Sequence, residues 1–429
     1  MKIKSNFNCL YILLAGCLMA TPISAQQTYT LDECLQEALT NNLQMKNAEN
    51  NLAIARQERQ EAFTQYFPSL SASGSGFIAD NELIKISMGG EQQLALLKNG
   101  VIGGVTATMP IFTGGQILNG NKLAKVNVEV NQLKHRQSEN EIKLTTEQYF
   151  WQIVMLEEKL KTLSTLEEQL ESLHKDVEAS VNAGVTNRND LLQVKLRKNE
   201  TISNQIEVEH ALSVSRSLLA QYMGHPEENI EVAVLMNESL PETPTELWQE
   251  PETSLPLTSE YNLLQENIKA SRLQYRTAVG KNLPSVAIGG GFMYENLLDR
   301  DHTFWAGFLT VSVPLSGWWG GSHNMKKYKL QVRNAENLSE DQSQLLIIQM
   351  QNTWNGLNDA YKQVEIALES IGQATENLRL QTDYYHAGTC TMSDLLEAQS
   401  IYQQSRDEYV ESYAQYEVTK REYLQATGR

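Results

Sequence analysis

A ten-residue motif occurs twice in this chain, and its duplication constrains the fold more than any other feature. Residues 183–192 and residues 387–396 share the pattern Ala-Gly, five variable residues, then Asp-Leu-Leu, at an offset of 204 residues. Landmarks repeated in a fixed order indicate an internal duplication. Two further pairs of proline segments precede these motifs in the same order: Phe67-Pro68 with Leu283-Pro284, and Pro110 with Pro314.

The segment between the two copies differs from both in composition. Residues 224–256 contain five of the ten prolines and eight glutamates, and they contain no lysine or arginine. Proline at this density interrupts helices and strands. We therefore expect two repeats, 26–223 and 257–429, joined by a linker at 224–256 that wraps over the surface with little regular structure.

Each repeat follows the same predicted plan of helix, strand, strand, long helix and returning helix. The first helix opens on a capping-box pattern, Thr30-Leu31-Asp32-Glu33. The Ala-Gly motif then forms the turn between the long helix and the returning helix. The predicted strands are 67–79, 100–112, 284–294 and 304–315, and the predicted helical hairpins are 119–222 and 324–425.

The long helix of the first repeat carries a regular stripe of apolar residues. Its residues recur at steps of three and four, which is the spacing of a helix packed lengthwise on its neighbours. At 1.5 Å per residue, a helix of about 60 residues forms a rod of roughly 90 Å. The stripe consists of Leu156, Leu160, Leu163, Leu166, Leu170, Leu173, Val177 and Val181.

The predicted strands alternate small polar with apolar residues over about ten positions, a pattern typical of transmembrane β-strands. Aromatic side chains at the strand ends fit the girdles found at both membrane interfaces. The alternative is a set of short hairpins packed on the helices of a soluble protein. The proposed girdle residues are Phe67, Phe112, Trp318 and Trp319 at one end, and Tyr294, Phe304 and Trp305 at the other.

Four strands are too few to close a membrane barrel, since bacterial barrels begin at about eight strands. An open sheet edge is not stable in lipid, because its backbone groups have no hydrogen-bond partners there. Several chains would therefore have to contribute strands to one barrel. Two chains would supply eight and three would supply twelve, and only the larger barrel leaves room for an aqueous channel.

The N-terminus has the features of an export signal. Basic Lys2 and Lys4 precede an apolar stretch, and Ala25 ends a cleavage-site pattern, so residues 1–25 are predicted to be removed. A lipoprotein box that would leave Cys17 lipidated is the alternative. After cleavage, Cys34 and Cys390 remain; their spacing does not decide whether they pair, and two free thiols is the simpler interpretation.

Composition and motifs argue against several other classes of protein. The net charge of −17 argues against binding to nucleic acid and to an anionic membrane surface. Seven histidines are scattered without metal-binding spacing, so we predict no enzyme, no metal and no cofactor. Four tyrosines near the C-terminus have helical spacing and are interpreted as packing residues: Tyr402, Tyr409, Tyr413 and Tyr416.

Acidic residues near the two predicted turns are candidates for a pore constriction. Asp190 and Asp394 each lie six residues after their turn glycine, and Glu397 lies nine after Gly388. Repeated around a symmetry axis, such carboxylates would attract cations and narrow a pore. The alternative is that an aspartate caps the N-terminus of the returning helix.

On these doubled turns and prolines the chain resembles the TolC family of outer-membrane efflux and secretion channels, over essentially the whole mature sequence. The resemblance implies a mainly α fold with transmembrane β-strands: a homotrimer with a 12-stranded barrel in outer-membrane lipid and a long periplasmic α-helical barrel. It places Asp394, Glu397 and Asp190 at the constriction. Cys390 departs from the family pattern, which has an arginine there, and this puts a closed-tip lock of that kind in doubt.

The resemblance also implies two partners, a periplasmic adaptor at the hairpin tips and an inner-membrane pump. A duct for type I protein secretion shares the same fold, and a periplasmic helical-hairpin scaffold that forms no channel is a different class. Two hairpins and only four strands favour the channel over the scaffold. The predicted docking residues are Gly184, Val185, Thr186, Gly388, Thr389 and Cys390.

Overall fold

The computed structural model describes residues 27–81, 83–87, 93–96, 99–226, 230–234, 236, 238–297, 300–315 and 317–429. The predicted signal peptide, including Cys17 and Ala25, lies outside these residues. The α-helices are α1 Leu31–Asn41, α2 Leu43–Thr64, α3 Gln116–Asn182, α4 Arg188–Tyr222, α5 Pro251–Ser254, α6 Ser259–Gly280, α7 Gly317–His386 and α8 Met392–Ala426. The strands are β1 Gln27–Tyr29, β2 Ser69–Ile78, β3 Ile84–Ser87, β4 Gln93–Leu96, β5 Asn99–Thr113, β6 Ile230–Val232, β7 Ser285–Leu297 and β8 Arg300–Ser312.

Two very long helices set the dimensions of the protein. Helix α3 contains 67 residues and α7 contains 70, which corresponds to roughly 100 Å each. The predicted apolar stripe of α3 is confirmed. Leu156, Leu163, Leu166, Leu170 and Val177 are buried, and Leu160, Leu173 and Val181 are partly buried against the same clusters.

Helix α7 begins seven residues before the predicted start at 324, within a glycine-rich segment. Glycine normally weakens a helix, but here it permits a close approach between two elements. A Cβ atom built on Gly321 would lie 1.9 Å from Oδ1 of Asn282, and one built on Gly317 would lie 2.6 Å from the same atom. The glycines therefore let the first turns of α7 pass directly against the end of α6.

Four strands form one antiparallel sheet in the order β2–β5–β7–β8. Pairing runs the length of the strands, with one irregularity between Pro110 and Phe112. Strands β2 and β8 have a paired neighbour on one side only within this sheet. The sheet therefore ends in two open edges.

The two faces of this sheet differ in chemistry. Side chains alternate between faces along each strand, and the cross-strand register assigns each position to one face. One face carries serine, threonine, glycine and a few larger residues; Ser71 Oγ and Thr106 Oγ1 on it lie 2.9 Å apart. The other face carries exposed apolar side chains: Leu70, Ile78, Val101, Val105, Ile288, Phe292, Trp305, Leu309 and Val311.

The helices pack in a defined order around the long rods. Below the sheet, α2 packs on α3, α3 on α6, and α6 on α7. Further down, α4 returns along α3, and α8 returns along α7 and also contacts α3. The main buried cluster joins the middle of α3 to α1, to the end of α4 and to β6, around Cys34, Ile142 and Ile230.

The linker contains short elements and is fixed to α8 by hydrogen bonds. Its first part forms β6, which pairs in parallel with β1. The tyrosines Tyr409, Tyr416 and Tyr423 are seven residues apart, so they lie on one face of α8. Their hydroxyls bond the linker backbone at Ser239 (3.0 Å to the carbonyl oxygen), Glu242 (2.6 Å to the carbonyl oxygen) and Gln249 (3.0 Å from the amide nitrogen).

We expect replacement of Tyr409, Tyr416 and Tyr423 by Phe to loosen the linker while leaving ring packing intact. Each lost hydrogen bond contributes about 1 kcal/mol, so the triple variant should lose about 3 kcal/mol of stability. Thermal unfolding and limited proteolysis of residues 238–249 would measure this. Tyr413→Phe is the matched control because the Tyr413 hydroxyl forms no hydrogen bond to the described residues; equal proteolysis of both variants would contradict the role of the hydroxyls.

Candidate functional site

The two hairpin tips have the same backbone geometry. Gly184 and Gly388 adopt left-handed conformations, with φ of 73° and 71°. At the first tip the amides of Gly184 and Val185 donate to the carbonyl oxygens of Val181 and Ser180 at 3.0 and 2.9 Å. Gly388 and Thr389 form the same pair of bonds at the second tip. This is the Schellman helix ending, which favours glycine because its left-handed residue has no Cβ to strain.

Different residues begin the two returning helices. Asn187 caps α4 by accepting from the Asp190 amide, so Asp190 is not the N-cap. At the second tip, Thr391 and Asp394 form a capping box in which the Asp394 carboxylate accepts from the Thr391 amide at 2.8 Å. These bonds with Thr391 lower the pKa of Asp394. Asp394 is exposed, and its lowered pKa leaves the carboxylate charged at neutral pH. The same carboxylate stabilises the start of α8.

The tips of the two hairpins pack against each other. Met392 at the start of α8 is buried with Val194 of α4 and Val177 of α3, and Tyr385 packs against this cluster. Burial raises the pKa of Tyr385, and the nearby Asp190 carboxylate raises it further. The contact brings Asp190 of the first repeat next to the second tip. Glu397 lies one turn beyond Asp394 and is exposed.

The predicted docking residues form an open surface at these tips. Gly184, Val185, Gly388 and Thr389 are exposed, and Thr186 and Cys390 are half-buried. The Cys390 thiol lies 3.4 Å from the carbonyl oxygen of Gln381. Cys390 and Cys34 are both free thiols, and Cys34 is buried in the main cluster, where desolvation raises its pKa to about 12.

A group of charged residues lies between α3 and α8, above the tips. Lys159 of α3 forms an ion pair with Glu411 of α8, and Asp407 lies one turn before Glu411. Burial raises the pKa of Asp407 to about 6, although Lys159 opposes the shift. Oδ1 of Asp407 is buried without a hydrogen-bond partner among the described residues. The charged form of Asp407 therefore lowers the stability of the folded protein.

We expect Asp407→Asn to stabilise the protein at pH 7.5 and to have no effect near pH 4. The folded-state pKa is raised above the ordinary value of 3.8, so the penalty is full above about pH 6 and disappears as the pH falls towards 4. Allowing for solvent screening, the gain is about 1 kcal/mol. Unfolding midpoints at both pH values would measure it, with the exposed Asp359→Asn as control; a gain that does not vary with pH would contradict the burial argument.

The predicted girdle residues do not all lie at the ends of the sheet or on one face; Phe304 and Trp305 are the fifth and sixth of the 13 residues of β8. The register pairs Phe112 with Val286, and Tyr294 lies eight residues further along β7, roughly 26 Å away. Trp305 shares the apolar face with Tyr294 and is 81% exposed. Phe304 pairs with Met293 on the opposite, polar face. Phe67 precedes β2, and Trp318 and Trp319 lie in the first turn of α7.

Within the described ranges, no cluster of three or more His, Cys, Asp or Glu side chains is arranged to hold a metal ion. In that same part of the chain, no helix combines the length and apolar character needed to span a bilayer. The features that stand out are therefore the paired tips, the long hairpins and the two-faced sheet.

Comparison with known structures finds the same fold in bacterial membrane proteins. The chain matches a membrane protein from Pseudomonas aeruginosa with a TM-score of 0.80 at 13% identity, covering 93% of each chain. It matches the CmeC outer membrane channel of Campylobacter jejuni with a TM-score of 0.77 at 15% identity, covering 93% of this chain and 85% of CmeC. The open-state MtrE outer membrane channel of Neisseria gonorrhoeae matches with a TM-score of 0.73 at 15% identity, covering 93% and 88%. No curated protein sequence matches the chain.

The protein is predominantly helical and shares its fold with these structures. A family model, outer membrane efflux protein, matches residues 34–225 and 264–429. The chain belongs to the outer membrane efflux protein family. This confirms the resemblance drawn from the doubled turns, and with it the predicted class, an efflux protein of the outer membrane. The family consists of transport proteins rather than enzymes.

Proposed function

We propose that three copies of this chain form a passive duct that carries solutes across the outer membrane within a tripartite efflux system. The observation that carries this proposal is the four-stranded sheet with an exposed apolar face and two open edges. In lipid, both edges need partners. Three copies joined between β2 and β8 would give twelve strands and a lumen lined by the small polar face.

The helices extend this arrangement into the periplasm. Around the sheet, α2, α3, α6 and α7 follow in the same order as the strands they adjoin. Three copies would therefore place twelve helices in a ring below twelve strands. The returning helices α4 and α8 would continue this ring down to the tips.

The tips are the proposed docking surface for a periplasmic adaptor, with an inner-membrane pump as the source of energy. Their exposed residues lie at one end of the long hairpins, farthest from the sheet. The packing of Met392 against Val194 supports treating both tips as one surface. The girdle is proposed for Phe67, Phe112, Tyr294, Trp305, Trp318 and Trp319; Phe304 is left out because it lies on the polar face.

The constriction is proposed at Asp394, Glu397 and Asp190. We expect the double variant Asp394→Asn, Glu397→Gln to reduce cation preference, because six carboxylates that attract cations leave the ring of a trimer. Because the same carboxylates hold the constriction in this proposal, their loss should also raise single-channel conductance about two- to threefold. These changes keep the size of the side chains, and Asn can still accept the capping hydrogen bond. Planar-bilayer recording would measure both quantities.

The matched control for the constriction is Glu340→Gln, Asp341→Asn, which removes the same charge from exposed positions of α7 far from the tips. Equal effects of the two double variants on selectivity would mean that net charge matters and that the tip does not constrict. If neither double variant changes selectivity, Asp394 and Glu397 do not lie in the pore. Either result would leave the duct itself intact.

A complementation assay tests the proposed efflux role. A Gram-negative strain that lacks its own outer-membrane efflux duct, supplied with this chain and its cognate adaptor and pump, should regain resistance to exported compounds. Restored export of a protein substrate, without small-molecule resistance, would favour a type I secretion duct. Failure of both with a correctly inserted trimer would contradict the proposal.

A further inference from the structure

An open groove of about 720 Å³ lies between α2 and α3, next to the sheet. Four basic side chains line it, two from each helix: Arg56, Arg59, Lys122 and Lys125. Aromatic side chains form its membrane-facing end, where Phe63 and Tyr66 are exposed. Cations beside exposed aromatic rings suit a ligand that is anionic at one end and apolar at the other.

The positive charge of this groove is largely unbalanced by the protein. Among the described residues, no carboxylate lies within ion-pair distance of Arg56, Arg59 or Lys122. Lys125 has one partner, Glu129 at 3.7 Å, and the Lys125 side chain is 62% exposed. Exposed cations without partners retain their attraction for an external anion.

The groove lies at the height of the membrane surface in the proposed arrangement. Tyr66 is three residues before Ser69, the first residue of β2. Arg59 lies two helical turns from Tyr66, roughly 10 Å along α2. Arginine and lysine side chains reach several ångströms towards a headgroup while their stems lie on apolar surface. Arg59 and Lys122, the two cations of the groove nearer the sheet, are therefore placed to reach lipid phosphates, and Arg56 and Lys125 follow about one turn further down their helices.

The groove also lies on the outer face of the proposed tube. On α3 it is lined by Leu118, Lys125 and Gln132, which are seven residues apart. The same heptad stripe continues to Thr146 and Ile153, and the latter is buried in the cluster with α1 and β6. Since α1 and the linker would obstruct the channel if they lay inside it, this stripe faces outward.

The second repeat carries basic residues at matching positions. Lys122 and Lys125 correspond to Lys326 and Lys329 at the offset of 204, and Arg56 corresponds to Arg272 at the offset of 216. The four membrane-proximal segments 53–66, 114–128, 272–282 and 317–333 contain eleven Lys and Arg but only two Glu, in a chain whose net charge is −17. We call these segments the basic collar.

We propose that the groove binds the phosphate of an anionic phospholipid from the periplasmic leaflet, with the lipid's glycerol and acyl region against Phe63 and Tyr66. The inference rests on the proposed outer-membrane duct, which sets the height and outward face of the groove. The net charge of the whole chain argues against an anionic membrane surface, but the collar reverses that sign locally. In the second repeat, Arg272 is paired with Glu336 at 2.7 Å, so the first-repeat groove is the stronger site.

Native mass spectrometry of the delipidated full-length trimer, titrated with phosphatidylglycerol and with phosphatidylcholine of the same chain lengths, tests this. Wild type should bind phosphatidylglycerol roughly tenfold more tightly. The variant R56Q/R59Q/K122Q/K125Q should lose that preference, and the milder R59Q/K122Q should lose part of it. The control K161Q/K175Q/K195Q/K362Q removes equal charge from α3, α4 and α7 away from the collar and should retain it.

Conductance of the same samples separates this inference from the proposed function. Unchanged conductance and selectivity in the groove variants, together with lost lipid preference, would support the outward-facing site. A conducting wild type with no preference, or displacement of the lipid by inorganic phosphate, would overturn the inference and leave the duct intact. Altered ion selectivity without lost lipid binding would place the cations in the lumen instead. A chain that never inserts would overturn both.

Discussion

Gly291→Val is expected to prevent assembly of the membrane sheet. A Cβ atom at position 291 would lie 2.6 Å from the carbonyl oxygen of Val105 and 2.8 Å from Cγ2 of Thr106. Gly291 lies in β7, a central strand, so the neighbouring backbone would have to shift along paired strands. Overpacking of this kind lowers stability by about 1–3 kcal/mol per site. Each of the three chains in the proposed trimer would be destabilised in this way. We expect the detergent-resistant oligomer to fall to a small fraction of the wild-type amount.

The matched control for this sheet variant is Gly74→Val, in β2. A Cβ atom there has nothing within 4 Å, and valine favours strands. Oligomer yield by gel migration in mild detergent should therefore be close to that of wild type. Equal yields for Gly291→Val and Gly74→Val would contradict the requirement for glycine at the β5–β7 contact.

The second large effect is expected at the tips, where Gly184→Leu together with Gly388→Leu should abolish adaptor docking. Both glycines have positive φ, so a side chain strains the turn by about 1–2 kcal/mol per site. No atom lies within 4 Å of a Cβ at either position, so the added bulk would project from the tip rather than into the core. We expect adaptor affinity to fall at least tenfold, measured by co-purification and by surface plasmon resonance.

Gly372→Leu is the control for the tip variant. Gly372 lies within α7, and a Cβ atom there also meets nothing within 4 Å, but its φ is not positive. This variant should bind the adaptor normally. If the tip variant also binds normally while its trimer remains intact, the adaptor docks elsewhere on the helices.

Periodicity and motif order were sufficient to predict the long hairpins and the four sheet strands. The apolar stripe of α3 follows from burial on one face of the helix. The polar–apolar alternation of β2 gives the sheet two chemically different faces, both exposed in the single chain. The start of α7 was predicted seven residues too late, at 324 rather than Gly317. The close approach to Asn282 that makes glycine suitable at 317 and 321 depends on tertiary packing.

The candidate sites could be predicted only in part. Thr391-Met392-Ser393-Asp394 has the spacing of a capping box, so the place of Asp394 at the start of α8 could be predicted from the sequence. Phe304 and Trp305 are consecutive, so they must lie on opposite faces of a strand; the girdle prediction overlooked this alternation. The hydrogen bonds between the linker and Tyr409, Tyr416 and Tyr423 could not be predicted, because tyrosines at heptad spacing do not reveal which backbone passes over them.

The most direct test of the duct is single-channel recording of the purified protein in a planar bilayer, with the oligomer mass determined on the same sample. We expect a trimer that inserts and conducts with a preference for cations. A soluble monomer that never inserts would contradict it, and would show that the apolar face of the sheet is covered by something other than lipid.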